Sequence, residues 1–338
     1  MALPKLAGPT HPTVTRYKGA HAAAIGVERY LGRPARSAMG VVTRRLDGAP
    51  VASALDEETR AVLGRAEPGD PPPTLASLHR GVDSPFQFYR RGQIKAAQAI
   101  GIRFRDEALG PGGGPQDLLD RARHLDRDPT VHAVLIEHPL PSPFDFRAAI
   151  AQVRPEKDVD GVGPENLGRL LTGDPFHAPA VALAALAIAR FYRVPLDGEP
   201  VAVVGRSETV GLPLALLLAA RPPGPNATVT VAHSRTRDLR AALAGSRTIF
   251  SCAGRPGLLT RDVVPEGATV IDVGVSSLPD PSRPSGSRAV GDADRASLEG
   301  WASGLTPVPG GVGPVTVAEL MRSTARAWDR LSPADEVP

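Results

Sequence analysis

VAVVGRSETVGLP, residues 201–213, reads as a short apolar strand, a tight turn and the opening of a helix. Gly205 permits the sharp turn, and Gly211 permits close packing where the helix begins. The helix N-terminus then offers backbone N–H groups and a partial positive charge to a phosphate. The middle glycine usual in such turns is missing, and Ser207 stands in its place. Outward from this unit the pattern repeats. The spacing predicts helices over 212–220 and 238–244, and strands over 228–232, 248–251 and 269–273. With 201–204 these make short apolar strands buried on both faces, which describe a Rossmann-like, doubly wound parallel sheet.

The strand 228–232 runs into His233-Ser234-Arg235-Thr236. NAD-binding sheets tend to place an Asp or Glu there to hold the ribose 2′-hydroxyl. A hydroxyl and a guanidinium suit a 2′-phosphate instead, with Arg206 in reach, so NADP is expected over NAD. The plainer alternative is a solvated loop after an ordinary strand.

Upstream, an alanine-rich helix over 181–192 links the two halves. Before it the alternation is similar: helical spacing over 55–63, a strand over 74–78, and a helix over 86–100 that stops at Gly101. A Gly/Pro loop at 110–115, a helix over 117–125, a strand over 131–136 and a helix over 146–153 follow. The first half is therefore a second parallel α/β unit. Residues 279–288, rich in Pro and Ser, read as an exposed loop, and 315–328 as a final amphipathic helix. Residues 1–43 carry scattered Pro and Gly with weak periodicity and read as an extension.

Composition removes several classes. At 338 residues, 42% apolar and 22% charged, the chain suits a soluble protein with room for two domains. Net charge is only +3, with no Lys/Arg block or basic-aromatic stripe, so no nucleic-acid partner is expected. Cys252 is the one cysteine, which excludes an internal disulfide and fits a reducing, cytoplasmic setting. No apolar run approaches the roughly 18 residues of a spanning helix, and no membrane partner is expected. His11, His21, His79, His124, His132 and His177 form no metal-ligand spacing, so no metal is expected.

Several segments together resemble the methylenetetrahydrofolate dehydrogenase/cyclohydrolase family. They are LDG (46–48), Tyr89 with Lys95-Ala96-Ala97, HPLP (138–141), PEKDVDG (155–161), GRSETVGLP (205–213), HSRT (233–236), AGRPG (253–257), VIDVG (270–274) and TPVPGGVGPVT (306–316). They run in family order from about Leu46 to Trp328. The resemblance implies an N-terminal α/β catalytic domain that binds folate (44–180) and a Rossmann-like NADP-binding domain (181–312). A C-terminal helix (313–330) then returns to the first domain. It also implies a tetrahydrofolate substrate in the cleft between domains, and a homodimer. Asp160 looks like the carboxylate that recognises the pterin ring, and Tyr89 like the aromatic packed along the folate. Pro309, Gly310 and Gly311 look like a backbone wall beside it. Arg206, Ser207 and Ser234 look like NADP contacts, with Gly274 beside the nicotinamide.

The departures from the family cluster at the chemistry. Four residues after the tyrosine the family carries a lysine that serves the cyclohydrolase step; here that position is Gln93. The family glutamine that partners the lysine falls on Glu137, and the next residue, usually apolar, is His138. A serine three before the tyrosine becomes Phe86, and Pro-Cys-Thr-Pro becomes Pro179-Ala180-Val181-Ala182. Tyr89, Gln93, Glu137 and Asp160 form the expected catalytic set. Hydride transfer to NADP needs orientation of two rings and support for an iminium-like cation. Hydrolysis of the methenyl product needs a group that moves protons, and glutamine does not titrate. The expectation is a dehydrogenase with weak or lost cyclohydrolase activity. A paralogue acting on another folate one-carbon unit and a non-catalytic folate- or nucleotide-binding protein are the alternatives.

Overall fold

The computed structural model describes residues 41–67, 69–80, 87–110, 112–283 and 286–331. The first half runs β1 (Arg44–Arg45), α1 (Ala49–Leu63), β2 (Thr74–His79), α2 (Gln87–Ile100), β3 (Arg103–Ala108), α3 (Pro115–Arg127), β4 (Ala133–Ile136), α4 (Phe146–Ile150) and α5 (Pro164–Thr172). Then come α6 (Ala180–Phe191), β5 (Pro200–Val204), α7 (Gly211–Ala219), β6 (Thr228–Ala232), α8 (Leu239–Leu243), β7 (Thr248–Ser251) and β8 (Thr269–Asp272). The chain closes with β9 (Ser276–Pro279), β10 (Ser287–Val290), α9 (Arg295–Leu298), β11 (Gly304–Leu305) and α10 (Val312–Leu331).

Two parallel sheets result. One has six strands in the order β1-β11-β8-β7-β5-β6, the other three in the order β3-β2-β4. The period-2 alternation of a strand explains how both faces of the larger sheet are covered. Val201, Val203, Phe250 and Ile271 point to a core shared with α1, α6, α7 and α10. Their neighbours Ala202, Val204, Ile249 and Val270 point the other way, to Leu243 of α8 and Leu298 of α9. Each large side chain so buried contributes roughly 1.5–3 kcal/mol.

The smaller sheet is layered in the same way. Ala76, Leu78, Val134 and Ile136 face α3 and α4. Leu75, Ala133 and Leu135 face Ala97 and Ile100 of α2 and Leu320 and Met321 of α10. Helix α10 thus packs on α1, α6 and α2 together.

Three sequence expectations change. Strand β6 is an edge, largely exposed rather than buried on both faces. Its Val231 and the α7 residues Leu212 and Leu216 are open to solvent. Residues 279–288, expected as a loop, enter the antiparallel β9–β10 pair at both ends. Strand β1, at the start of the expected 44–180 unit, pairs with β11 in the larger sheet. Strand β3 and helix α5 had no sequence signal strong enough to place them. The former is an edge strand, RFRDEA, whose charges break any apolar alternation. Residues 1–40 and Phe86 lie outside the described residues.

Candidate functional site

The two sheets each end in a polar rim, and the alternation of their strands puts specific residues there. In the larger sheet, β5 is flanked by β6 on one side and β7 on the other, so the chain reverses its direction of travel at β5. Crevices outside the carboxyl ends of strands at such a point bind ligands in open α/β sheets. Gly205 follows β5 with φ of 125°, and a Cβ there would lie 2.5 Å from the Cys252 carbonyl oxygen at the end of β7. A Cβ on Gly211 would lie 2.4 Å from the Gly205 carbonyl oxygen. Both positions therefore admit glycine only, and the turn is held flat against the strand ends.

The residue that replaces the middle glycine has a definite task. Ser207 Oγ accepts hydrogen bonds from Val210 N (3.2 Å) and Gly211 N (3.3 Å) at the start of α7. The helix N–H groups read as free from sequence are thus partly satisfied by this hydroxyl, whose own proton remains to donate outward. Arg206, Ser207, Ser234 and Arg235 are all exposed around this crevice. Gly274, buried after β8, donates its N–H to Ser251 O (3.0 Å) and Asp272 Oδ1 (3.1 Å). All the residues expected to contact a nucleotide thus lie at or just past the carboxyl ends of β5, β6 and β8 or at the start of α7.

In the smaller sheet the row of side chains under α2 changes character along each strand. Leu75 and Leu135 are apolar at one end. Two residues on, the same face carries Ser77 and Glu137, while Ser77 pairs in register with Asp106 of β3. Helix α2 runs over this row with Arg90, Gln93, Ala97 and Ile100 buried at helical spacing. Its apolar end covers the apolar row, and its polar end covers the polar one.

A charged cluster fills that end. Arg90 Nη1 stands 3.7 Å from Glu137 Oε2, and Arg90 Nε stands 3.6 Å from Asp106 Oδ1. Asp106 Oδ1 is also 2.9 Å from His79 Nε2. Burial pushes the Glu137 carboxyl above its ordinary range, opposed first by Arg90 and then by His79. Gln93 is 1% exposed, and its Oε1, like Arg90 Nη1 and Glu137 Oε2, has no hydrogen-bond partner among the described residues. A buried polar atom left unmatched costs about 1–3 kcal/mol. The ion-pair partner of Glu137 is Arg90, one helical turn before Gln93 on α2, rather than residue 93 itself.

Tyr89 and Asp160 meet beside this cluster. The Tyr89 phenol bonds to Thr316 of α10, and burial together with the nearby Asp160 holds it firmly protonated. Asp160 Oδ2 lies 3.4 Å from His138 Nε2, and the His138 ring packs on Phe146 with centroids 4.5 Å apart. Its neighbour Asp158 is a different kind of residue: fully buried, it accepts from Gly161 N, Gly163 N and Asn166 Nδ2 and shapes the loop. Pro309 and Gly310 form the turn before α10, where Gly310 O accepts from Gly48 N (2.8 Å), and Gly311 is buried beneath them. Arg147 of α4 pairs with Glu208 of the β5 turn, an exposed bridge from one rim to the other.

The chain has four lysines, Lys5, Lys18, Lys95 and Lys157. Lys95 is exposed on α2. Lys157 is buried at the far end of β4, its Nζ bonded to the Asp126 and Asp128 carbonyls at 2.7 and 2.8 Å. Among the described residues, no lysine amine reaches the cluster around Gln93; Lys5 and Lys18 lie outside them. Also among the described residues, no group of three His, Cys, Asp or Glu is arranged to hold a metal, and no helix is long and apolar enough to cross a membrane.

Sequence reading missed Arg90, His79, Asp106 and Thr316. A signal existed for Arg90, a charged residue three before Gln93 on a stripe that continues with Ala97 and Ile100. His79 and Asp106 come from separate strands, and only the register joins them.

Comparison with known proteins agrees with this geometry. The catalytic-domain model of tetrahydrofolate dehydrogenase/cyclohydrolase matches residues 46–160, and its NAD(P)-binding-domain model matches 179–332. The bifunctional protein FolD of Roseiflexus sp. is 41% identical over 283 residues, 83% of this chain and 95% of its own length. That of Chlorobium phaeovibrioides is 37% identical over 289 residues, 84% of this chain and 98% of its own length. The Trypanosoma brucei methylenetetrahydrofolate dehydrogenase-cyclohydrolase, solved with NADP and an inhibitor, superposes with a TM-score of 0.80 at 36% identity. That match covers 87% of this chain and 99% of the other. The protein is therefore a member of the tetrahydrofolate dehydrogenase/cyclohydrolase family, with a catalytic α/β half and an NAD(P)-binding half.

Proposed function

We propose that this chain oxidises 5,10-methylenetetrahydrofolate to 5,10-methenyltetrahydrofolate with hydride transfer to NADP, and that its cyclohydrolase activity is weak or lost. The observation that carries the second half is the buried amide of Gln93, with no lysine amine near it among the described residues. Hydrolysis needs a water to be activated and protons to be moved, work worth roughly 10²–10⁴-fold in rate. An amide cannot do it, and a guanidinium such as that of Arg90 does not release its proton in a protein.

The first half of the proposal asks less of the side chains. NADP supplies the hydride acceptor, and the crevice around Gly205, Gly211 and Gly274 fits a dinucleotide in its flat turn and exposed donors. Arg235, with Ser234 and Arg206, is assigned to the 2′-phosphate, since no carboxylate closes that strand. Asp160 anchors the pterin, Tyr89 packs along it, and the Pro309-Gly310-Gly311 turn walls the folate side. As the hydride leaves, positive charge grows on the one-carbon unit, and the Glu137 carboxylate is the group assigned to stabilise it. The paralogue reading draws support from one contact, His138 on Asp160, which puts an imidazole beside the pterin carboxylate. A homodimer in a reducing, cytoplasmic setting completes the proposal; the exposed β6 edge with Val231 offers a surface for a second copy.

The test is purified protein with methylenetetrahydrofolate and NADP, following NADPH and the methenyl product together. Both should rise in equal amounts. No NADPH with tight ligand binding would support a non-catalytic protein instead, and NADPH without methenyl accumulation would contradict the reading of Gln93.

A further inference from the structure

We infer that Arg90 is a positioning residue for this site, supplying one helical turn before residue 93 the fixed positive charge that orients Glu137 and favours its anionic form. The inference deepens the reading of Glu137 proposed above and rests on it. The side chains of Arg90 and Glu137 are 8% and 9% exposed, so their attraction at 3.7 Å is weakly screened by solvent. A second anchor fixes the guanidinium: Asp106 at 3.6 Å, itself held by His79 at 2.9 Å. The chain of contacts runs from β2 through β3 and α2 to the end of β4, and each member comes from a different element.

Among the described residues, the groups facing Glu137 are Arg90 from α2, Ser77 and His79 from β2, and Asp106 from β3. Burial favours the neutral carboxyl, Asp106 adds to that, and Arg90 is the largest influence against it. Without Arg90, Glu137 keeps its proton to higher pH and offers a growing cation a neutral acid in place of a carboxylate. Arg90 carries a fixed charge and no proton to release, so it serves electrostatics alone, and the group of this pair that titrates is Glu137.

The experiment compares the pH dependence of dehydrogenase kcat/KM for the natural protein, R90K, R90M, E137Q and R90M/E137Q. Activity should rise with pH as Glu137 ionises. In R90M this limb should move upward by roughly one to three pH units, the range by which a close opposite charge shifts a carboxyl. R90K, which keeps a charge, should move it less, and serves if R90M does not fold. E137Q should lack the limb, and adding R90M to it should change little. The loss in R90M should fall on kcat rather than KM. A second readout needs no activity: the carboxyl ¹³C resonance absent in E137Q should titrate higher in R90M than in the natural protein. An unmoved limb or an unmoved resonance in both Arg90 variants would overturn the inference. A moved resonance in a protein without dehydrogenase activity would sink the proposed function and leave the charge relation standing.

Discussion

The carboxyl ends of β5–β8 and those of β2–β4 are two rims built from the same parts, parallel strands covered by helices, and they present opposite surfaces. The first presents backbone: Gly205 and Gly211 lie too close to neighbouring backbone for any side chain, and Ser207 caps the helix they introduce. The second presents side chains: Ser77, His79, Arg90, Gln93, Asp106 and Glu137, buried or clustered under α2. A rim made of backbone admits little change, because each replacement collides with main chain. A rim made of side chains can be recharged without moving a strand.

The comparison can be broken at either rim. The largest effect is expected at Gly211→Val, where the new side chain meets the Gly205 carbonyl. Stability should fall by about 3 kcal/mol or more and NADP binding should vanish, read by thermal melts and NADPH fluorescence. If the variant melts and binds normally, the backbone rim is not rigid. Next is the double change Q93K/E137Q, which introduces the lysine–glutamine pair that the resemblance implies for these positions. Hydrolysis of methenyltetrahydrofolate should then rise by about 10²-fold or more. No gain would mean the rest of the rim, Arg90 included, also prevents hydrolysis.

Smaller effects sharpen the picture. Arg235→Ser should weaken NADP about tenfold or more while leaving NAD unchanged, the loss of one charge-assisted hydrogen bond. Equal effects on both dinucleotides would remove Arg235 from the 2′-phosphate. His138→Leu frees Asp160 Oδ2 and should change the folate KM by a few-fold, about the worth of one ordinary hydrogen bond. An unchanged KM would place the His138–Asp160 pair outside the folate site. Arg147→Ala removes the exposed bridge to Glu208, and urea unfolding should not register it.

The same contrast explains what the sequence disclosed. Strand 201–204 was legible because its residues, buried on both faces, read as an unbroken apolar run, and the nucleotide turn because its glycines are required by contact. Helix α2 was legible from its spacing, and Gln93 from its distance to Tyr89. Strand β3 was hidden because an edge strand needs no apolar alternation. The same weakness concealed the exposure of β6, whose TVTVA resembles a central strand while its neighbour lies on one side only. The partner of Glu137 was out of reach for another reason. The resemblance implies that Glu137 partners residue 93, whereas the side chain that meets it is fixed by the pitch of α2 and by the register of Ser77 with Asp106.

The most direct measurement is the decay of added methenyltetrahydrofolate in buffer, with and without the purified protein at increasing concentration. The same decay rate is expected at every concentration, because among the described residues no titratable amine lies beside Gln93. A rate that climbs in proportion to the protein would contradict it.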